Sequence, residues 1–288
     1  NNLKSSKANN TLRAYKSDFK DFGAFCANHG LNSLPTQPKI VSLYLTHLSK
    51  SSKISTLRRR LVSISMVHKL KGHYLDTKHP IITENLMGIK RKMGVKQTAK
   101  KPLLINDLKS IIKVIDEEKN NSKRLQNKAL LLIGFSGGFR RSELVSIEYD
   151  DLDFVTEGVK IIVRRSKTDQ TGLGMTKAIP YFDNKDYCPV TSLKNWINFS
   201  KINNGKIFNI SDKTVALTIK KYALLAGLDH NRYAGHSLRS GFATSTAETG
   251  ADERSIMAMT GHKTTQMVRR YIQESNLFKN NALNNIKI

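Results

Sequence analysis

The sequence predicts a mainly α-helical fold with one small antiparallel β-sheet, divided between two domains. Three observations carry that reading. Apolar residues recur at steps of three and four along most of the 288 residues, the spacing that lines one face of a helix. The period changes to two only between Val159 and Phe182. A polar, strongly basic stretch, KRKMGVKQTAKK from Lys90 to Lys101, interrupts both patterns, and a chain of this length has room for a core on either side of it.

In the first domain, Leu12, Tyr15, Phe19, Phe22 and Cys26 share one face of a helix that Gly30 is placed to stop. A second helix fits residues 40–48, with Pro38 near its start and Tyr44 and Leu48 on one stripe. A third turns Ile54, Leu57, Leu61 and Ile64 inward and leaves Arg58, Arg59 and Arg60 mostly outward. Such an arginine run reads either as a solvated face or as a grip on phosphate. The domain is assigned to residues 1–92 and a linker to 93–102, which ends at Pro102.

The second domain, 103–288, opens with a helix in which Asn106 is read as the cap and Leu108, Ile111, Ile112 and Ile115 pack inward. A buried helix over 125–135 runs into the turn at Gly137 and Gly138. VKIIVRR (159–165) and KAIPYF (177–182) read as antiparallel strands around the turn SKTDQTGLG, with 152–154 as a third. Helical text continues from there to the end.

Lys and Arg number 48 against 23 Asp and Glu, a net charge of +25. That field attracts polyanions, nucleic acid first among them, and names no chemistry. Cys26 and Cys188 are the only cysteines and stand in no zinc-ligand spacing, which argues against a disulfide framework or a structural zinc. The run ALLLIGF (129–135) is far short of the roughly 20 residues of a membrane span. With no secretory signal and no initiator Met, the expectation is a cytoplasmic protein, away from membranes, whose N-terminus has been trimmed.

Short motifs carry the candidate chemistry. GFRRSEL sets Arg140 and Glu143 three apart on one face of a starting helix; alone, this is equally an intrahelical ion pair worth about a few tenths of a kcal/mol. HSLRS sets His236 and Arg239 the same way, where a helix N-terminus favours an anion, although such a pair alone also suits a solvated face. Lys167 lies in the turn RRSKTDQTG among many other cations, and His262 follows Gly261. Tyr271 stands directly behind Arg269 and Arg270. It shares a face with Met267, as a core tyrosine would. Positive charge beside a phenol also favours the phenolate, so Tyr271 reads equally as a nucleophile.

Taken together and in order, GFRRSELVSI, RRSKTDQ, HSLRSGFAT and GHKTTQMVRRY resemble the tyrosine site-specific recombinases, the phage integrase family. The resemblance covers the chain from Leu103 to the C-terminus, and the helices before it are similar to that family's core-binding domain. It implies a two-domain DNA clamp whose catalytic domain ends in a tail helix. It implies Tyr271 as nucleophile, Arg140 and Arg239 as a phosphate clamp, and His236 and His262 as assisting groups. Lys167 would be the general acid on a mobile hairpin, and Glu143 the acid that orients an arginine or histidine. Arg58, Arg59, Arg60, Lys90, Arg91, Lys92, Arg165, Arg269 and Arg270 are expected to meet DNA. The implied partners are double-stranded DNA with inverted-repeat sites and further copies of the chain in a homotetramer on it, with no cofactor and no metal. The tail stripe of Leu277, Phe278, Ala282, Leu283 and Ile286 would dock on its own domain or on a neighbouring copy. A type IB topoisomerase and a DNA-binding regulator that does not cut are the alternatives.

The chemistry suits those residue types. A tyrosine ester of phosphate stores the broken bond, which attack by water would discard. Charge gathers on the non-bridging oxygens, where planar, permanently charged guanidiniums fit best. Histidine near its ordinary pKa moves protons both ways. The leaving 5′ oxygen needs a proton, assigned to Lys167, and the cations supply the electrostatics that a metal otherwise would.

Overall fold

The computed structural model describes residues 9–94, 100–164, 174–262, 264–275 and 286. The chain forms two compact units, Asn1–Thr98 and Ala99–Ile288.

The first unit is helical: α1 (Asn9–Asn28), α2 (Pro38–Ser49), α3 (Ile54–Leu70) and α4 (Pro80–Met93). Proline opens both α2 and α4, where its missing N–H costs nothing. Helix α1 packs on α3 and α2 on α4, around Phe22, Cys26, Tyr44, Leu45, Leu57, Ile64 and Ile82. The arginine run departs from the expected outward face. Arg58 and Arg59 are exposed, but Arg60 turns inward, its side chain only 16% exposed. The cause is Asp18 of α1, a buried carboxylate that pairs with both Arg59 and Arg60 and accepts from Ser63 Oγ at 2.7 Å. A buried charge without such partners would be costly, so the run serves the fold as well as the surface.

The second unit contains α5 (Ile105–Asp116), α6 (Asn121–Ser136), the single-turn α7 (Arg141–Leu144), strands β1 (Leu152–Val155), β2 (Gly158–Val163) and β3 (Met175–Pro180), then α8 (Pro189–Ser200), α9 (Asp212–Leu225), α10 (Ser237–Glu248), α11 (Glu253–Thr260) and α12 (Thr265–Ser275). Helix α6 is buried from Ala129 to Ser136 and packs against α8 and α10. The strands make an antiparallel sheet in the order β1-β2-β3, with Ile161 opposite Lys177.

The start of α5 corrects one expectation. Leu104 is the N-cap, and Asn106 lies inside the first turn. The chain arrives here already tied down: Lys101 N donates to Arg232 O at 2.7 Å and Leu103 N to Ser237 O at 2.8 Å. Leu103 is fully buried. Gly241 of α10 lets the segment lie that close, since a Cβ there would stand 1.9 Å from Leu103 O. Tertiary contact sets the helix start where a local cap would have set it two residues later.

Candidate active site

The floor of the site is the turn after α6. Gly138 has φ +54°, a left-handed conformation that glycine adopts without penalty. Both glycine carbonyls of the turn are used. Gly138 O accepts from Arg239 Nη1 at 2.9 Å, and Gly137 O accepts from Lys177 Nζ at 2.6 Å. Beyond the turn, Arg140 is the extended N-cap of α7. The buried Glu143 carboxylate takes the backbone N–H of Arg140 at 2.9 Å and its guanidinium at 2.5 Å. One acid therefore fixes both the backbone and the side chain of that arginine.

Arg239, on α10, is 3% exposed, and its Nη2 is buried without a partner among the described residues. Burial first, and then the charge of Arg140, push its pKa down to about 10. His236 is the exposed N-cap of the same helix.

His262 follows α11, and its Nδ1 lies 2.8 Å from Thr260 Oγ1. That hydroxyl has a single proton and donates it to Ile256 O at 2.6 Å, so it accepts from Nδ1–H. Nε2 is then the acceptor of a neutral ring. Burial, followed by the charges of Arg239, Arg140, His236 and Lys177, pushes the His262 pKa down to about 4. The ring donates through Nε2 only after taking up a proton.

Tyr271, on α12, rests half-buried against Ala243, Ala247, Ile256 and Val268. Its ring centre is 6.1 Å from that of His262, with the planes inclined at 31°. Met267 is exposed, so of Met267 and Tyr271 only the tyrosine packs on that cluster.

Arg140, His236, Arg239, His262 and Tyr271 together line one cleft of about 730 Å³. It offers planar cationic donors to a tetrahedral anion, with a phenol beside them. Among the described residues no group of three His, Cys, Asp or Glu side chains comes together as metal ligands would. No described helix is long and apolar enough to cross a membrane.

Residues 102–277 match the model of the phage integrase family. The chain belongs to the phage integrase family. It is a tyrosine recombinase, 42% identical over 98% of its length, and 86% of the relative's, to an integrase/recombinase XerD homolog of Selenomonas ruminantium. It is 26% identical to the tyrosine recombinase XerC of Staphylococcus aureus, over 92% of this chain and 86% of that one. Its fold is similar to that of the XerH site-specific recombinase bound to palindromic difH substrate (TM-score 0.72, 16% identity, 95% of this chain and 79% of that one). A lambda integrase dimer bound to a COC′ core site is similar too (TM-score 0.62, 18% identity, 98% and 93%).

Of the recombinase's other expected site residues, some are described and some are not. Lys167 and Arg165, the Arg270 side chain, and Leu277, Phe278, Ala282 and Leu283 of the tail fall outside the described residues. Lys90, Arg91 and Lys92 are exposed in the last turn of α4, where a helix C-terminus also favours cations. Arg269 is exposed and paired with Glu253 at 3.0 Å. Among the residues at the site that were absent from the expected set are the cations Lys100, Arg141 and Lys220 on the cleft wall, and Lys177 beneath it. For Lys177 a signal existed, because period two puts it on the same face as Ile179.

Proposed function

We propose that this recombinase cuts and rejoins double-stranded DNA through a covalent 3′-phosphotyrosine at Tyr271, without a metal ion, in strand exchange of the integrase or excisionase type. The observation that carries this reading is Arg239. Its guanidinium is nearly buried, one end bonded to Gly138 and the other without a partner among the described residues, in a cleft that also holds Tyr271. A desolvated cation kept in that state suits a phosphate oxygen that completes its bonding. Arg140, oriented by Glu143, is the second arm of the clamp. Tyr271 attacks phosphorus, the P–O5′ bond breaks, and Lys167 protonates the leaving oxygen. His236 receives the phenol proton, and His262, once protonated, donates to a non-bridging oxygen.

The net charge of +25 supports DNA as the partner, as do the DNA complexes of the similar XerH and lambda integrase. Arg58, Arg59, Lys90, Arg91, Lys92, Arg165, Arg269 and Arg270 add phosphate contacts around the duplex, and Arg60 holds its neighbours in place. The enzyme works in the cytoplasm on inverted-repeat sites, as a homotetramer closed by head-to-tail docking of the tail.

The deciding experiment incubates protein with a nicked inverted-repeat duplex from the encoding element and resolves covalent adducts on a denaturing gel, with and without EDTA. Wild type forms a 3′-linked adduct in both conditions, and Tyr271→Phe binds the duplex but forms none. Adducts at wild-type levels in Tyr271→Phe would overturn the assignment. Efficient relaxation of plasmids lacking any repeat would make the enzyme a topoisomerase instead.

A further inference from the structure

Lys177 is a lysine in a core position. It is 1% exposed, on the inner face of β3 opposite Ile161. Its Nζ donates to Gly137 O at 2.6 Å and to Met259 O at 2.5 Å, and lies 4.4 Å from the centre of the Phe139 ring. These partners belong to the two pieces of chain that build the clamp. Gly137 precedes the glycine whose carbonyl holds Arg239, and Met259 precedes the threonine that holds His262. The described charged groups acting on Lys177 are Glu143, which favours its charge, and Arg239 and Arg140, which oppose it. His262 feels the charge of Lys177 in turn.

We propose that Lys177 is a positioning residue for the phosphate clamp, tying the Arg239 turn to the His262 helix end, and that it takes up a proton when a phosphodiester enters the cleft. This rests on the reading of the cleft as a phosphate site. Two features of the geometry support it. An amine with two hydrogens still serves both carbonyls, so the tie survives loss of the third proton, and the aromatic face at 4.4 Å receives the charge when it returns. The site also holds more fixed cations than anions, so an entering phosphate removes the main reason for Lys177 to stay neutral. Burial, ahead of the neighbouring guanidiniums, already pushes its pKa down to about 7. The proton comes from solvent to Nζ, and no other bond changes.

The test measures proton uptake on binding of the duplex, by calorimetry at pH 8 in buffers of different ionisation enthalpy. It is done in Tyr271→Phe so that no cleavage intervenes. Failure of the phosphotyrosine reading therefore leaves this measurement standing. A pKa near 7 leaves about one-tenth of the amine charged at pH 8, so uptake approaches about one proton per site. Adding Lys177→Gln or Lys177→Arg removes that proton, because one is never charged and the other always is. Uptake unchanged in both would overturn the proposal. A second arm follows single-turnover cleavage with Tyr271 intact from pH 7 to pH 10. As pH rises, wild type loses a larger share of its pH 7 rate than Lys177→Arg does; a purely structural lysine would give parallel profiles, which would also overturn it. Circular dichroism checks that each variant is folded, and if Lys177→Gln does not fold, the Lys177→Arg comparison decides alone.

Discussion

Replacing Arg239 by methionine should damage the reaction and spare the fold. At 3% exposure the guanidinium is held in a site that has pushed its pKa down to about 10. That is more than two pH units below its ordinary value, and at about 1.36 kcal/mol each it amounts to about 3 kcal/mol of unfavourable charge burial. Methionine removes that penalty and fills much of the same volume. Against this stands the Gly138 carbonyl, which loses its partner at 2.9 Å and costs about 1–3 kcal/mol if left unsatisfied. The two terms offset, so Tm should be unchanged or slightly higher. Catalysis has no such offset. Losing a preorganised donor costs about 3 kcal/mol, and adduct formation should fall by more than about a hundredfold. The assays are differential scanning calorimetry without DNA and single-turnover adduct formation with it. A Tm lowered by more than about 5 °C would refute the argument that this charge burdens the free protein. Wild-type adduct rates would refute the clamp.

Glu143→Ala, in contrast, should destabilise by about 3–5 kcal/mol, because it leaves the Arg140 guanidinium without its buried counter-charge; chemical denaturation reads this directly. The DNA-free protein should gain stability between pH 7 and pH 9. Lys177 has a folded pKa of about 7, below its unfolded value, so in that window the unfolded chain binds more protons and rising pH favours the fold. The gain should vanish in Lys177→Arg, and a thermal melt series checks it. Duplex affinity should fall steeply with salt, log K being linear in log salt concentration, and a flat response in a filter-binding titration would contradict an extensive phosphate interface. On a duplex whose bridging 5′ oxygen is sulfur, Lys167→Ala should recover cleavage and Arg239→Ala should not, because a thiolate leaves without a proton.

The residues that meet in the cleft were legible because Arg140, His236, Arg239, His262 and Tyr271 are unusual as a set in their types and order along the chain. Strands β2 and β3 were legible too, since the apolar period changes to two there, and β1 was expected beside them at 152–154. What stayed hidden depends on contacts far apart in the chain. Arg60 turns inward because of Asp18, and α5 starts at Leu104 because Leu103 is pinned to Ser237. Local spacing records neither. Lys177 was hidden differently. Its position on the inner face was readable, but a lysine at a core position only makes sense once the two carbonyls above it are known.

The pinning of Leu103 has a mechanical side. The segment that opens the second unit is fastened at Ser237, the residue after His236 and two before Arg239, and Gly241 lets it lie hard against the same helix. A displacement of Leu103 therefore bears directly on the first turn of α10, the helix that carries both His236 and Arg239.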